Sequence, residues 1–370
     1  MSEVTRRHLL AVPAAGGVTL AAAGALGAEA EAMPELRFPL GQQGARTSDG
    51  GSAKEATVAE FPVSRNLAGV LMDLDAGGLR EMHWHANAAE WAYMIRGHAR
   101  ICVIDPQGRS EVVDFDPGDI WYFPRGHGHA IQGLGPDGCQ FMLVFDNGAF
   151  SEFATFSLTD WLALTPKDVL QRNLRLPPAT LDRLPKKEVY IVKGEVPPPL
   201  PAQAPVGSLH SPPLSHFYPM QSQAPREFAG GDLRVVSARE FPISATMTGA
   251  TMRLVPGALR ELHWHPNADE WQYVLRGRVR MTVFGSKGRA STLDLGQGDV
   301  GYVPQGYGHY LANEGDADCE LLLVFNSGEY QEIGLSAWLA ANPPDLLAAN
   351  LGLDAQALAE LPKSGVFIVR

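Results

Sequence analysis

The feature that most constrains the fold is an internal repeat, because most of the chain is one unit present in two copies. Matching residues lie 180 positions apart, as His83 and His263 do, until the offset falls to 177 at Trp161 and Trp338. The second copy therefore lacks three residues somewhere between positions 149 and 160. A repeat this long predicts a duplicated domain, and 370 residues suffice for two domains with a core in each.

Within each copy, short apolar runs alternate with turn residues such as Pro106-Gln107-Gly108. In the first copy the predicted strands are 90–95, 99–104, 119–123 and 140–145. Helical patterns follow at 157–163, 167–173 and 178–184, and in the second copy at 336–341, 345–350 and 354–361. Each copy ends in a short apolar strand, at 189–192 and 366–369. This order predicts a mainly β fold, with two jelly-roll β-barrel or sandwich domains that are each followed by short helices.

The domain boundaries follow from the repeat and from a proline-rich stretch between the copies. We predict an N-terminal domain at 31–193, an extended linker at 194–215 and a C-terminal domain at 216–370. His210 and His216 lie in or beside the linker without partners at metal-ligand spacing. We therefore expect both to face solvent or to be hydrogen-bonded locally.

Residues 1–30 have the pattern of an export signal. The pair Arg6-Arg7 precedes a run rich in Ala and Gly, and Ala28-Glu29-Ala30 is a candidate cleavage site. The run is only weakly hydrophobic and contains Pro13, which argues against a stable membrane anchor. The pattern predicts export by the twin-arginine route, removal of the segment, and a periplasmic or secreted mature protein.

Composition excludes some partners and covalent links. A formal net charge of −11 and a pI of about 5.5 argue against a surface for nucleic acid. The three cysteines show no C-x-x-C spacing. Cys139 and Cys319 occupy matching positions in two apolar runs, so we predict buried thiols on equivalent strands and assign no disulfide.

Two His-x-His pairs are the candidate metal-ligating motifs. In the first pair, His83 and His85 point to the same side of a strand because side chains alternate with period two. A lone pair of this kind is equally typical of a solvated strand face. Here the pair recurs together with a carboxylate five residues later and a third histidine, which indicates metal binding. The candidate ligands are His83, His85, Glu90, His129, His263, His265, Glu270 and His309.

Three imidazoles and one carboxylate suit Mn, Fe, Ni or Zn, and the affinity order alone does not choose among these ions. Four protein ligands leave two positions of an octahedral ion for substrate and for dioxygen or water. Arg80 and Arg260 lie three residues before the first ligand of each set. A guanidinium there can clamp a bound carboxylate, and the alternative is a surface arginine on a turn.

At these residues the chain resembles the bicupin oxalate decarboxylases. The likeness rests on both His-Trp-His-x4-Glu segments, on the stretches 118–124 and 298–304, and on the post-barrel segment 158–166. It covers the chain from about residue 55 to the C-terminus. The resemblance implies two Mn ions per chain, dioxygen as a co-catalyst and a hexamer built from two trimers. The implied reaction is cleavage of oxalate to formate and carbon dioxide.

The resemblance also implies a mobile lid that carries the proton-handling glutamate. The family's lid commonly reads Ser-Glu-Asn-Ser-Thr, and here residues 151–155 keep the acid as Glu152. Phe153 and Ala154 replace the Asn and Ser, and they cannot make the polar contacts of that pair. Glu152 and Arg80 are therefore the implied catalytic residues, with Arg80 and Arg260 binding substrate.

The second copy is shortened across the same segment. Its nearest acids, Glu329 and Glu332, are not clearly in register with Glu152, and Leu323 stands where some family members have a strand glutamate. We therefore expect the N-terminal centre to be catalytic and the C-terminal ion to be structural.

Three other functions compete with decarboxylation. The altered lid could fail to deliver the proton, which would give an oxalate oxidase that releases hydrogen peroxide. A cupin dioxygenase would act on a larger organic substrate. A non-catalytic periplasmic bicupin would only bind metal or a small anion.

Overall fold

The computed structural model describes residues 32–200 and 212–370. The predicted export signal and residues 201–211 of the predicted linker, including His210, lie outside these ranges. None of the helices in the described ranges is long and apolar enough to cross a membrane.

Strands dominate both copies of the repeat, as the sequence predicts. Those of the first half are β1 (Arg37–Phe38), β2 (Arg46–Ser48), β3 (Gly51–Ala56), β4 (Ala68–Leu74), β5 (Gly78–Trp84), β6 (Glu90–Gly97), β7 (Ala99–Ile104), β8 (Ser110–Phe115), β9 (Ile120–Phe123), β10 (Gly128–Gly133), β11 (Cys139–Phe145), β12 (Phe156–Ser157) and β13 (Ile191–Lys193). Those of the second half are β14 (Phe217–Tyr218), β15 (Arg226–Phe228), β16 (Gly231–Val236), β17 (Thr248–Leu254), β18 (Leu259–Trp264), β19 (Glu270–Arg276), β20 (Arg278–Gly285), β21 (Arg289–Gly296), β22 (Val300–Val303), β23 (Gly308–Ala312), β24 (Cys319–Phe325), β25 (Ile333–Gly334) and β26 (Ile368–Val369).

Short helices follow each set of strands. They are α1 (Leu158–Leu164), α2 (Lys167–Leu174), α3 (Pro178–Leu181), α4 (Leu335–Ala340), α5 (Pro344–Leu351) and α6 (Ala355–Glu360), with single 3-10 turns at Leu40–Gln42, Glu152–Ala154 and Met220–Ser222. The helix predicted at 178–184 is shorter than expected. It ends at Leu181, four residues before Pro185.

Each domain is a sandwich of two antiparallel sheets around its own core. In the N-terminal domain one sheet has the order β14-β9-β6-β11-β4-β3-β2, and the other has the order β12-β5-β10-β7-β8 with β13 paired to β5. The C-terminal domain repeats this arrangement with the orders β1-β22-β19-β24-β17-β16-β15 and β21-β20-β23-β18-β25, and β26 pairs with β18. The prediction of two mainly β jelly-roll domains is confirmed. Cys139 and Cys319 are buried on the equivalent strands β11 and β24.

The two domains exchange edge strands, which the sequence did not indicate. β1 lies at the start of the first half of the chain yet pairs with β22 of the C-terminal domain, and β14 of the second half pairs reciprocally with β9 of the N-terminal domain. His216, just before β14, is buried, and its ring and backbone N–H are hydrogen-bonded to the carboxylate of Glu111 on β8. The expectation of a solvent-facing or locally bonded His216 was therefore wrong, because the exchanged strand carries this residue into the other domain.

A shared apolar cluster joins the domains behind the exchanged strands. Trp91 and Trp271 are fully buried in it. A Cβ at Gly69 would lie 2.2 Å from the Trp271 ring, and one at Gly249 would lie 1.9 Å from the Trp91 ring. Glycine is required at both positions because each indole packs directly on the backbone of the other domain.

The last strand of each copy starts later than predicted. Tyr190 and Phe367 have φ angles of 60° and 62°, in the left-handed region that interrupts extended backbone. Their backbone N–H groups donate to the buried carboxylates of Glu81 and Glu261 instead of a neighbouring strand. β13 and β26 therefore begin only after these aromatic residues.

Candidate metal centres and the lid glutamate

The N-terminal centre forms where three strands meet inside the sandwich. His83 lies on β5 and pairs in register with His129 on β10, while His85 follows the end of β5 and Glu90 begins β6. All four side chains are buried, and one potential ligand atom from each lies within 4.8 Å of the others. The structure thus brings together the four predicted ligands of this centre.

Hydrogen bonds at the far side of the rings fix which nitrogen faces the centre. His83 Nδ1 donates to the carbonyl of Glu81 (2.6 Å), and His129 Nδ1 donates to the carbonyl of His127 (2.9 Å). A carbonyl can only accept, so the lone pair lies on Nε2 of each ring. The Nε2 atoms of His83, His85 and His129 and Oε2 of Glu90 are buried without a hydrogen-bond partner among the described residues. Four convergent acceptors of this kind fit a divalent metal ion.

The local electrostatics favour the neutral form of His83 and His85, which is the form that binds metal. Burial lowers the pKa of His83 well below its usual range, and the guanidinium of Arg80 adds to this effect. Burial also lowers the pKa of His85, although the neighbouring Glu152 partly opposes the shift. A metal ion here would meet deprotonated nitrogen and would displace no proton from these two rings.

The C-terminal centre repeats the same ligand set and strand register. His263 pairs in register with His309, and Nδ1 of His263, His265 and His309 donates to the backbone carbonyls of Glu261, Gln331 and Tyr307. Glu270 Oε2 lies 2.9 Å from His265 Nε2 and 3.0 Å from His309 Nε2. Burial alone would raise the pKa of Glu270, but the adjacent imidazoles hold it well below its usual range. The second set of four predicted ligands is therefore also assembled.

The carboxylate ligands of the two centres have different outer partners. Trp121 Nε1 donates to Glu90 Oε1 (2.7 Å), whereas Gln272 Nε2 donates to Glu270 Oε1 (2.9 Å). Gly301 is the residue of the second copy that corresponds to Trp121. A Cβ at Gly301 would approach the Gln272 amide oxygen to 3.0 Å. In both copies the Oε1 atom of the carboxylate ligand thus accepts a hydrogen bond, but the donor comes from a different strand. It is an indole on β9 in the first copy and an amide on β19 in the second.

Glu152 lies directly over the N-terminal centre. Arg80 Nε donates to Glu152 Oε1 (2.6 Å), and both side chains are fully buried. The Glu152 oxygens lie 3.6 Å from His83 Nε2 and 3.3 Å from His85 Nε2. Burial by itself raises the pKa of Glu152, but Arg80 and His85 outweigh it and lower the pKa to about 2. Arg80 Nη2 and Glu152 Oε2 are buried without a hydrogen-bond partner among the described residues, so this pair retains one unused donor and one unused acceptor.

The segment around Glu332 resolves how the two copies align. Phe156 pairs with Trp84, and Ile333 pairs with Trp264, so the three missing residues lie before these positions. Glu332 pairs with Arg260 as Glu152 pairs with Arg80, which places the two glutamates in register and leaves 153–155 without a counterpart. The sequence had left this register open.

Glu332 is nevertheless held differently from Glu152. Its Oε2 also accepts a hydrogen bond from the Tyr330 hydroxyl (2.6 Å). Among the described ion pairs, none joins Glu332 to an imidazole of the C-terminal centre. β25 begins at the next residue, and the Gln331 carbonyl accepts from His265, so the backbone on both sides of Glu332 is fixed.

Comparison with known proteins agrees with this architecture. The profile of the cupin family matches residues 39–182 and again 221–358. Oxalate decarboxylase OxdC of Bacillus subtilis is 44% identical over 321 residues, which cover 87% of this chain and 83% of that protein. The chain belongs to the bicupin oxalate decarboxylase family.

Other members of the family are also similar. A probable oxalate decarboxylase of Arthroderma benhamiae is 34% identical over 342 residues, covering 91% of this chain and 83% of its own. A solved structure of the B. subtilis oxalate decarboxylase, studied for its Mn(II) centres, superimposes with a TM-score of 0.88 at 42% identity. The superposition covers 92% of this chain and 90% of that one.

Sequence reasoning missed several residues that shape the centres of this family member. Glu81 accepts four hydrogen bonds, from the backbone N–H groups of Val189, Tyr190 and Thr159 and from the Thr159 hydroxyl. Glu261 plays the same part in the second copy. The repeat itself carried this signal, because Arg-Glu occurs at 80–81 and again at 260–261. Trp121 and Gln272 left no such signal, since neither is retained in the other copy.

Proposed function

We propose that this protein is an oxalate decarboxylase whose N-terminal centre cleaves oxalate to formate and carbon dioxide. The observation that carries the proposal is the buried Arg80–Glu152 pair, placed over three imidazoles and a carboxylate with unsatisfied atoms facing the same point. The named activities of the relatives support it.

Manganese is the ion we propose at both centres, giving two per chain, with dioxygen as co-catalyst. The donor set of three imidazoles and one carboxylate fits Mn(II), and a relative's structure was solved in a study of its Mn(II) centres. The bound ion would supply a Lewis-acidic and redox-active position for one end of the substrate.

The side chains have distinct parts in this proposal. Arg80 Nη2 donates to the substrate carboxylate and orients it. Glu152 accepts the proton of hydrogen oxalate and returns a proton to the carbon that becomes formate. The closed lid excludes water while this transfer occurs. The reaction balances in atoms and charge, because one hydrogen oxalate yields one carbon dioxide and one formate.

One assay tests the function and separates its rivals. Purified protein loaded with manganese is given oxalate at mildly acid pH, and formate and hydrogen peroxide are both quantified. Decarboxylation predicts formate in large excess, and oxidation predicts peroxide with two carbon dioxides per oxalate. No product at all, with metal content confirmed by elemental analysis, would favour the binding protein. Full burial of Glu152 and Arg80 favours a small substrate over the larger one of a dioxygenase.

The C-terminal centre is proposed to be structural. Arg260, predicted to bind substrate, is paired with Glu332 and donates to the Phe367 carbonyl (3.3 Å), as Arg80 is paired with Glu152 and donates to the Tyr190 carbonyl (3.4 Å). The copies differ at the acid, because Glu332 is also held by the Tyr330 hydroxyl. Because the backbone around Glu332 is fixed at both sides, we infer that this carboxylate keeps Arg260 from a substrate.

The outer partners of the carboxylate ligands predict separable changes in metal affinity. Trp121→Phe removes the indole N–H that donates to Glu90 but keeps a ring in place. We expect manganese binding to weaken by about tenfold at the N-terminal centre alone. Gln272→Leu should weaken the C-terminal centre by a similar factor. Titration followed by the EPR signal of unbound Mn(II) measures both, and wild-type affinity in both variants would contradict the assignment.

The hexamer of two trimers and the export route complete the proposal. Each domain exposes an aromatic face, where Trp161 packs edge-on against Trp84 and Trp338 against Trp264 at 5.6 and 5.4 Å between ring centroids. Phe156, which stacks on the Trp84 ring, is also exposed, and such an apolar surface suits contact with another subunit. Sedimentation analysis measures the assembly. Residues 1–30 support a periplasmic or secreted location.

A further inference from the structure

The lid of this chain is held by an aromatic contact where the family's usual lid has a polar residue. The ring of Phe153, next to Glu152, lies 5.4 Å from the guanidinium carbon of Arg46 and 5.9 Å from the Tyr190 ring. Arg46 Nη1 also donates to the Phe153 carbonyl (3.3 Å). Phe153 is partly buried against the core of the N-terminal domain.

The surface that receives this ring is formed independently of the lid. The Arg46 guanidinium lies over the Tyr190 ring at 3.8 Å and is paired with Glu188 at 2.7 Å. Tyr190 in turn lies against the guanidinium of Arg80 at 4.4 Å. The same aromatic ring therefore contacts the arginine of the centre and the lid residue beside the catalytic glutamate.

The C-terminal domain fills the equivalent surface in another way. Arg226 and Phe367 correspond to Arg46 and Tyr190, and the Phe228 ring stacks on Phe367 with 4.6 Å between centroids and 12° between planes. Phe228 belongs to strand β15 and is fixed there. The residue that corresponds to Phe228 in the N-terminal domain is Ser48, and the residue that corresponds to Phe153 is absent from the second copy. One domain thus supplies this ring from a strand and the other supplies it from the lid.

We propose that Phe153, docked on Arg46 and Tyr190, is the latch that holds the lid closed and thereby makes Glu152 deliver its proton. Ser48 is the small residue that leaves the Tyr190 surface accessible to the lid ring. The contacts at either end of the lid are polar, from Ser151 to Glu55 (3.0 Å) and from Thr155 to the Trp84 carbonyl (2.9 Å). The lid must open for substrate to reach the buried centre, and the latch adds to these contacts and to the Arg80–Glu152 pair in setting the fraction of time the lid is closed.

The inference rests on the proposed function, and it assigns Phe153 a positioning role that selects between two products. With the lid closed, hydrogen oxalate gives carbon dioxide and formate. With the lid open, hydrogen oxalate, dioxygen and one proton give two carbon dioxides and one hydrogen peroxide. The second reaction reduces dioxygen by the two electrons that oxalate loses. Both carbons leave as carbon dioxide, so no proton is transferred to carbon.

The first test removes the ring from the lid and, as a matched control, from the domain without a lid. Phe153→Ala is expected to raise the hydrogen-exchange rate of residues 151–155 by roughly five- to tenfold, which corresponds to the loss of one aromatic and one cation–π contact. The ratio of peroxide to formate should rise by a similar factor. Phe228→Ala removes the equivalent ring and should leave both quantities unchanged, even where thermal unfolding shows a loss of stability.

The second test blocks the docking surface without altering the lid. Ser48→Phe introduces a strand ring at the position of Phe228, and it should compete with Phe153 and increase both lid exchange and the peroxide fraction. Wild-type exchange and product ratio in both Phe153→Ala and Ser48→Phe would overturn the proposal. Exchange is measured without oxalate, so increased exchange in a protein that makes neither product would reject the proposed function and leave the latch supported.

Discussion

Glu152→Gln is expected to lower formate production by at least about 100-fold, because glutamine is nearly isosteric but can neither accept nor return the substrate proton. The neutral amide can still accept from Arg80, so the lid keeps a closed position. Initial rates of formate formation with saturating oxalate measure the loss in kcat. Binding of oxalate should persist, since Arg80 and the metal ligands are unaltered.

The repeat provides the control for this variant. Glu332→Gln makes the same change on Arg260 at the other centre, and it should retain most of the formate production. The reverse pattern, with activity lost in Glu332→Gln and kept in Glu152→Gln, would assign catalysis to the C-terminal centre. Equal losses in the two variants would instead indicate that both centres are active.

Removing one imidazole from one centre at a time is the second change with a large expected effect. His85→Ala should abolish formate production and reduce the manganese content from about two to about one per chain, because a ligand set of one carboxylate and two imidazoles holds the ion less firmly. His265→Ala should lose the same amount of metal yet keep formate production at the remaining centre. Elemental analysis after gel filtration, together with the formate assay, measures both quantities.

Thermal unfolding accompanies these variants as a check on the fold. Both histidines are buried, so each alanine leaves a small cavity in addition to the lost ion. His265→Ala is expected to melt at a lower temperature than the wild-type protein, since bound metal stabilises the folded state. A full complement of two ions in either variant would show that the replaced histidine is not a ligand.

The fold and the ligand sets could be predicted because each depends on a periodic or repeated signal. Alternation of apolar and polar residues marked strands such as β7, where Ala99, Ile101 and Val103 face the core. The His-x-His spacing placed His83 and His85 on one side of β5, and the offset of the repeat supplied His129 and the second centre. These inferences needed only local geometry and one comparison within the chain.

The relation between Glu152 and Glu332 could not be predicted in this way. A gap of three residues can be placed at several positions of a short loop, and the sequence offered no reason to prefer one of them. The strand pairs Phe156–Trp84 and Ile333–Trp264 placed the gap before these residues, and the pairs Arg80–Glu152 and Arg260–Glu332 placed it after the glutamate. The exchanged edge strands β1 and β14 escaped prediction for a related reason, since two-residue strands carry too little pattern to indicate a partner.

The sequence by itself determined that this protein has two β domains, two sets of metal ligands and a candidate lid acid. Those features are specified by residues close together in the chain or repeated at a constant offset. Only the tertiary structure decided which partners surround them. Arg80 and Arg260 pair with Glu152 and Glu332, Glu90 and Glu270 receive different donors, and Phe153 docks on Arg46 and Tyr190. Most of these contacts join residues that are distant in sequence, and the donors to the carboxylate ligands and the docking of Phe153 differ between the copies, so neither periodicity nor the repeat could reveal them.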